Sequence, residues 1–455
     1  MLELTRRQLL RTAAAGAAGA VLAACARPTP TPTPRPAPAT AVAKPAATAV
    51  PPTPVPRKVS LTVSIADWNS DVQDYIDKEA VAAFQARYPG REVKVNYANW
   101  ARYNEELTTA FAGGVPPDVF QGGAVWAPQM AKRGWALPLD ELVRSPAADW
   151  DWNDFYPSLQ NDVSIDGKVV AVPYRMDTRP FWYREDILQE AKAQPPTTWQ
   201  ELATAATACT RREGTKIVRE GYHFADPVAS NWQNDVQAFV LWLHQGGGVL
   251  LTDDGRQCKL DEQPAIDTLQ FIHDLVYKHQ VMPYPGFEPQ GDKSPLMLGI
   301  AAMQNGGTDI EVRAKKYSPE TAPFIKTALP LKGPGGQFTH TWVNKYFIAK
   351  ISKEPKEAWA LLEFLTSRPV LQKYCVLGGF LNPRKSAAQA PELTPAIKLC
   401  MEATALAKTY PKHHRILDML RPLAAALGEA LSNKATPKVA LTAAAAEIRK
   451  IIAEG

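Results

Sequence analysis

Aromatic residues stand beside amide, carboxyl or guanidinium side chains at many points of this 455-residue chain, often where a predicted strand ends. Sugars present a flat C–H face that packs on an aromatic ring, and their hydroxyls need planar partners such as Asp, Asn, Gln and Arg. The pattern therefore predicts a binding site for a polar solute. The predicted contact residues are Asp67, Trp68, Asn69, Trp100, Gly122, Trp126, Tyr174, Arg175, Trp232, Gln233, Asn305, Trp342 and Asn344.

The elements that would position these side chains alternate between strand and helix. Residues 59–65 alternate apolar and polar side chains, which predicts a strand, and two more strands are predicted over 93–97 and 118–120. Apolar residues recur at helical spacing over 72–84 and 103–111. This alternation predicts an α/β fold with mostly parallel sheets flanked by helices, and the last hundred residues are predicted to be mostly helical.

Helix starts are indicated by capping patterns. Ser70 with Gln73 and Thr198 with Glu201 are typical capping boxes. Trp199 and Trp359 have apolar neighbours at helical spacing and are predicted to be core residues instead of ligand contacts.

The first 24 residues predict an export signal. An arginine-rich start precedes an uncharged stretch over 12–24, which is too short to span a bilayer. The stretch ends in Leu22-Ala23-Ala24-Cys25, which is typical of a lipobox with Cys25 as the acylated residue. Arg6-Arg7 in its context resembles a twin-arginine signal, and the general export route stays open. We therefore expect an exported protein, lipid-anchored to the outer face of the cell membrane.

Residues 25–57 predict a spacer between that anchor and a folded body. Prolines alternate there with Thr, Ala and Val, a composition that favours extended chain over a packed core. The signal and this tether together have a net charge of +6 (seven basic residues less Glu3), so the body from residue 58 onward is near neutral although the whole chain is +5. No basic surface for nucleic acid is expected.

Four cysteines remain in the body: Cys209, Cys258, Cys375 and Cys400. An even number in an oxidising compartment permits disulfides, and three pairings stay open. They form no C-x-x-C pair, and the adjacent His413 and His414 lack a third ligand, so no metal is expected. We also expect no cofactor, because no nucleotide-binding or phosphate-binding motif is present.

Five segments occur in a fixed order along the body: 111–119 (FAGGVPPDV), 166–174 (DGKVVAVPY), 181–186 (FWYRED), 196–202 (PTTWQEL) and 299–303 (GIAAM). Together they resemble motifs of the extracellular solute-binding proteins of ABC importers, in the carbohydrate-binding group that includes maltose-binding protein. The sequence departs from those motifs at Arg184, where Asn is usual, and at Ile300, where Lys is usual.

The resemblance implies a periplasmic-binding-protein-like fold of two hinged α/β lobes with the ligand between them. The first lobe would comprise 58–173 and 306–367, and the second 174–305 and 368–455. The resemblance further implies a monomer that captures a sugar or oligosaccharide and delivers it to the transmembrane subunits of an ABC permease, without enzymatic activity.

It also places the predicted contact residues. Tyr174 and Arg175 would lie at the first crossover between the lobes and Asn305 at the second. A loop over 341–344 would form the last cleft loop, ahead of a strand at 346–349.

Three other interpretations stay open. The ligand could be an anionic or amine solute, such as a glycerol phosphodiester or a polyamine. The protein could be an exported glycoside hydrolase that uses two of the carboxylates Asp67, Asp118 and Asp177. A structural or adhesive lipoprotein is the third.

Overall fold

The alternation of strands and helices along the chain is observed in a computed structural model that describes residues 57–66, 69–145, 147–224 and 233–455, without the side chains of Ala101, Gln233 and Asn234. The signal, most of the tether, Cys25, Asp67, Trp68 and Trp232 lie outside the described residues. The strands are β1 (Val59–Ile65), β2 (Arg91–Tyr97), β3 (Val119–Gly122), β4 (Ser164–Ile165), β5 (Lys168–Val169), β6 (Val172–Thr178), β7 (Phe181–Arg184), β8 (Arg211–Glu213), β9 (Lys216–Arg219), β10 (Met303–Asn305), β11 (Ile325–Ala328), β12 (Lys332–Gly333), β13 (Gly336–Gln337), β14 (Thr339–Ile348) and β15 (Ala407–Lys408).

Helices connect these strands and cover the sheets. They are α1 (Ser70–Tyr75), α2 (Val81–Arg87), α3 (Trp100–Ala112), α4 (Trp126–Lys132), α5 (Pro157–Asp162), α6 (Glu185–Glu190), α7 (Trp199–Cys209), α8 (Gln233–Gln245), α9 (Gln263–Tyr277), α10 (Pro295–Leu298), α11 (Ile310–Tyr317), α12 (Pro355–Leu365), α13 (Arg368–Gly378), α14 (Pro395–Ala403), α15 (Ile416–Leu431) and α16 (Pro437–Ala453). A π-helical turn, Ile76–Ala80, joins α1 to α2. No helix within the described ranges combines the length and apolar character of a membrane span.

Two separate sheets organise the body. The large sheet has the strand order β15-β14-β3-β1-β2, and β6 also pairs with β14. β1 runs parallel to β2 and β3, whereas β14 runs antiparallel to β3 and β6. The small sheet has the order β10-β7-β11. The sequence continues from β6 directly into β7, so the chain passes from one sheet to the other at this point.

Each sheet has its own large hydrophobic cluster, which defines two lobes. In the first lobe, side chains of β1, α1, α12 and α13 pack together, and Trp359 is one of them. In the second lobe, β7 packs with α7, α8, α9, α15 and α16, and Trp199 belongs to this cluster. Both tryptophans are therefore core residues, as the sequence predicts.

The lobe boundaries differ from the predicted ones. Residues 174–178 of β6 and 407–408 of β15 pair with β14 in the large sheet, although they were predicted in the second lobe. Two further segments differ. β11 pairs with β7, so 325–328 lie with the small sheet and not in the first lobe. α13 packs against α1 in the cluster of the first lobe, so 368–378 do not belong to the second lobe. Both differences arise from long-range packing, which local sequence patterns do not encode.

Several local predictions can be compared directly. The strand at 59–65 is confirmed, with every second residue buried. Thr198 caps α7 through the Glu201 N–H, also as predicted. The capping box at Ser70 is wrong, because Asn69 is the N-cap of α1: its Oδ1 accepts from the N–H groups of Asp71 (2.9 Å) and Val72 (3.3 Å).

The four body cysteines are free thiols. Cys209, Cys258, Cys375 and Cys400 are all buried, and none forms a disulfide in the structure. Burial raises the pKa of the Cys209 thiol to about 11, so this sulfur is held as the unreactive thiol.

Candidate functional site

A cavity of about 230 Å³ lies where β6, β10 and α8 meet. We call it the central cavity. It lies beside the link between β6 and β7, where the chain passes from one lobe to the other, and many of the side chains on its wall are charged. The residues that line it are Arg175, Asp177, Arg179, Phe224, Gln237, Ala238, Leu241, Asn305, Gly306, Gly307, Asp309, Arg313 and Phe380.

Asp177 joins β6 to the loop after β10. Its Oδ1 accepts hydrogen bonds from the Thr308 N–H (3.0 Å) and the Thr308 hydroxyl (3.1 Å). Its Oδ2 pairs with Arg179. A Cβ at Gly307 would lie 2.3 Å from the Asp309 Oδ1 and 3.3 Å from the Asp177 Oδ2, so a side chain there would displace the Asp309 carboxylate from its position.

Arg179 lies between an aromatic face and α8. Its guanidinium carbon is 4.3 Å from the ring centroid of Trp342, in cation–π geometry. Another nitrogen donates to the Gln237 Oε1 at 3.3 Å. Trp342 is buried on β14, directly opposite Asp177 on β6. Arg179, Asp177 and Trp342 therefore form one connected group, in which the buried Trp342 ring supports the Arg179 guanidinium and the two charged side chains face the cavity.

A second pair of charges lies beside this group, since one glycine, Gly307, approaches both Asp309 and Asp177. Arg313 and Asp309 face each other one turn apart on α11, with 3.6 Å between Nη1 and Oδ2. Burial raises the pKa of the Asp309 carboxyl, which Arg313 opposes and Asp177 reinforces. A ligand hydroxyl that enters the cavity would donate a hydrogen bond to this carboxyl group and so stabilise its charged form.

Arg175 approaches the cavity along an aromatic wall. It is buried, and its guanidinium carbon lies 4.0 Å from the ring centroid of Phe380. Asp177, two residues after Arg175 on β6, forms its ion pair with Arg179, just beyond the end of the strand.

Asn305 brings a buried amide to the cavity. Its Nδ2 donates to the Tyr222 hydroxyl at 2.8 Å, and Tyr222 also accepts from the Trp242 Nε1 at 3.2 Å. Within the described part of the chain, the Asn305 Oδ1 and the neighbouring Gln304 Oε1 are buried without a hydrogen-bond partner. Unpaired buried acceptors are costly, so both atoms suit a donor supplied by a ligand or by water.

The first lobe contributes an aromatic group at the carboxyl ends of β1 and β3. Trp126 stacks on Tyr103, with centroids 5.6 Å apart, and Trp100 meets Trp126 edge to face at 6.1 Å. Trp126 is nearly buried and Trp100 is half-buried. These rings do not line the central cavity but lie where the large sheet presents its loops.

Three of the predicted contact residues, Gly122, Tyr174 and Asn69, have packing or capping roles in the fold. A Cβ at Gly122 would lie 2.4 Å from the Phe347 ring, so packing requires glycine there. Tyr174 is fully buried in the first-lobe cluster and stacks on Tyr346 at 4.2 Å. Asn69 uses its side-chain oxygen to cap α1.

Trp342 and Asn344 do not lie in a loop, which corrects the prediction. β14 runs without interruption from 339 to 348, and all ten of its residues are buried. The strand is long because its first half pairs with β6 and its second half with β3. Asn344 lies opposite Arg175 in this pairing. Gln233 is the first residue of α8.

Sequence reasoning missed five residues of the site: Arg179, Gln237, Arg313, Phe380 and Tyr222. Arg179 could have been found, because it follows Asp177 by two residues on a predicted crossover. The others reach the site through long-range packing and have no local signal. Asp118, one of the three hydrolase candidates, instead joins elements, accepting from the Thr62 N–H at 2.9 Å and the Ser352 hydroxyl at 2.6 Å.

Comparison with known proteins adds independent findings. Residues 69–371 match the family model described as bacterial extracellular solute-binding protein. A probable ABC transporter-binding protein of Deinococcus radiodurans is 28% identical over 64% of this chain and 67% of its own length. The diacetylchitobiose binding protein DasA of Streptomyces coelicolor is 30% identical over 43% of this chain and 42% of its own.

A solved structure shares the fold. The ABC transporter solute-binding protein of Thermotoga lettingae, bound with α-D-tagatose, superposes with a TM-score of 0.77 at 22% identity. The superposition covers 86% of this chain and 99% of that one.

Proposed function

We propose that this chain, which belongs to the bacterial extracellular solute-binding protein family, captures a sugar or an oligosaccharide between its lobes for an ABC importer. The observation that supports this most is the central cavity, where two aspartates stand near Arg179, which is held over the face of Trp342. Carboxylates and guanidinium groups bind hydroxyl groups, and Phe224 and Phe380 on the cavity wall offer apolar ring surface for the C–H side of a sugar ring. The sugars named for one relative and one similar structure support the same class of ligand.

The ligand would be held from both sides. In this proposal Asp177, Arg175 and Asn305 bind hydroxyls in the central cavity, and Trp100 and Trp126 stack from the first lobe. Asp67 and Trp68 would add to the first-lobe side, and Trp232 and Gln233 to the other. Because such a ligand makes all its contacts only when the lobes are closed, binding shifts the population toward the closed form.

A ligand screen tests this proposal. Thermal-shift measurements over sugars, polyols, phosphodiesters and polyamines report binding, since a ligand that binds only the folded state at 100 times its Kd stabilises by about 2.7 kcal/mol. We expect oligosaccharides to give the largest shifts and titration calorimetry to confirm one site. Shifts from phosphodiesters or polyamines alone would contradict the proposed ligand class.

A second candidate ligand is a charged solute. Three arginines and two aspartates line the central cavity, which is more charge than a neutral sugar requires. An anionic or amine solute, such as a glycerol phosphodiester or polyamine, would pair with one of these groups. The same screen separates this candidate from the first.

We propose that the protein binds without turnover. The family consists of substrate-binding proteins. Asp118 is engaged by Thr62 and Ser352, and Asp177 by Thr308 and Arg179, so neither carboxylate is placed as a free acid and base pair. Hydrolysis of an oligosaccharide that binds in the screen would contradict this.

The location and partners follow from the same proposal. Acylation at Cys25 would hold the protein at the outer face of the membrane, and the proline-rich 25–57 segment would space the body from the lipid. As a monomer near its permease, the protein would act at a high effective concentration. Detergent phase partition of the wild type and of Cys25→Ser tests the anchor.

A further inference from the structure

One lysine of the second lobe contacts the first lobe directly. Lys316 lies in the last turn of α11, and its Nζ is 2.7 Å from the Asp71 Oδ1 and 3.0 Å from the Ser70 hydroxyl. Asp71 and Ser70 form the first turn of α1, where a negative charge is favourable. The contact therefore joins the end of one helix to the start of another.

The two helices belong to different lobes. α1 packs through Val72 and Tyr75 into the first-lobe cluster. α11 connects β10 to β11, which are both strands of the small sheet, and its Ile310 and Ala314 share a hydrophobic cluster with Trp182 of β7 and with residues of β6 and β14. Motion of the small sheet relative to α1 would therefore change the distance between Lys316 and Asp71.

A second lysine makes a comparable contact elsewhere. Lys412 precedes α15 of the second lobe, and its Nζ donates to the Asn161 and Ser164 carbonyls, the latter at 3.3 Å. Asn161 lies on α5 and Ser164 on β4, which packs against α4 and the first-lobe aromatic group. This contact ties the segment between β15 of the large sheet and α15 of the second lobe to the first lobe.

We infer that Lys316 and Asp71 act as an electrostatic latch that holds the lobes closed before any ligand binds. The inference rests on the two-lobe fold and not on the identity of the ligand. Lys316 and Asp71 are partly exposed, with 32% and 48% of their side-chain surface accessible, so the latch is of the strength of a surface ion pair. Such a pair changes an equilibrium by up to about fivefold. A fivefold change alters the populations of the open and closed forms noticeably when the two are close in free energy. It is too small to hold all molecules in the closed form.

Lys315 is a matched control for this latch. It is the preceding residue of the same helix and is more exposed, and it pairs within α11 with Glu311 at 2.7 Å. Reversal of its charge perturbs α11 at least as much as reversal at Lys316, because it also breaks the pair with Glu311, but it removes no ion pair to the first lobe.

The test is small-angle scattering of the unacylated full-length chain without ligand, in 20 mM and 500 mM NaCl. We expect K316E and D71K to increase the radius of gyration at low salt and the double variant D71K/K316E to restore it. K315E should match the wild type, and high salt should reduce the differences, because the pair is exposed to counterions.

The latch is overturned if K316E and K315E have the same radius, or if the double variant is as expanded as the single ones. Circular dichroism melting shows that each variant is folded before it is compared. Because no ligand is present, failure of the sugar-binding proposal would leave this result unaffected.

Discussion

Acidification from pH 7 to pH 5 is expected to destabilise the fold through two buried histidines behind Trp342. His340 lies on β14, and His244 lies near the end of α8, with ring centroids 5.8 Å apart and planes nearly parallel. In the portion of the chain that the structure describes, none of their four ring nitrogens has a hydrogen-bond partner. Two imidazoles in this environment are held in the neutral form.

Burial lowers the pKa of His244 from 6.5 to about 4, an effect that Lys408 reinforces. Burial also lowers the pKa of His340 well below its usual value, with further repulsion from His244 and Arg179. Because these folded pKa values lie below the unfolded ones, the unfolded chain binds protons first. The contribution of these histidines to stability is therefore fully present above the pKa of the unfolded state, and it is lost as the pH falls toward the pKa of the folded state. For His244 alone the loss at pH 5 is about 2 kcal/mol, and His340 adds to it.

Urea unfolding at pH 7 and pH 5 measures this effect. We expect the difference in unfolding free energy between the two pH values to shrink by about 2 kcal/mol in His244→Phe, and by a comparable amount in His340→Phe. Tyr410→Phe is the control, because Tyr410 packs on His340 but does not titrate in this range. Even if a variant is less stable overall, only the pH difference is compared. An unchanged pH difference in both histidine variants would refute the reasoning.

Other predictions concern the site, the anchor and the cysteines. Asp177→Ala should destabilise the protein by about 1 to 3 kcal/mol in urea unfolding, because the Thr308 N–H and hydroxyl lose their acceptor; the exposed Asp253→Ala should not. Trp342→Ala should raise the Kd of any sugar found in the screen about tenfold or more, whereas Trp135→Ala, which removes a stack on Phe111, should leave it unchanged. Cys25→Ser should move the protein to the aqueous phase in detergent partition at unchanged affinity, and a lost affinity would contradict a role limited to anchoring. A thiol reagent should modify none of the four buried body cysteines before unfolding, and rapid reaction of the native body would contradict their burial.

Local elements of the fold were predictable where a pattern acts over short range. The alternation in β1 reports which face of the strand is buried, and the Thr198 cap reports a hydrogen bond three residues away. The helical spacing around Trp199 and Trp359 identified both as core residues. Each of these signals depends on neighbours within one or two turns.

The elements that the sequence could not place depend on distant partners. β14 was expected to begin at 346, but pairing with β6 extends it back to 341 and pairing with β15 back to 339, which buries Trp342 inside the sheet. β11 was assigned to the wrong lobe because only its pairing with β7 reveals its position. At the site, Arg175 and Asn305 were identified by their crossover positions, whereas Arg313 and Tyr222 arrive from α11 and from a segment far along the chain.

Titration calorimetry with the oligosaccharide that gives the largest thermal shift tests the central claim most directly. The account predicts saturable binding at one site per chain, with affinity lost in Asp177→Ala and retained in Lys315→Glu. Scattering at saturation should show a smaller radius of gyration than without ligand, as closure of the lobes requires. Absence of binding across the sugars, or binding that leaves the radius unchanged, would contradict capture of a sugar between hinged lobes.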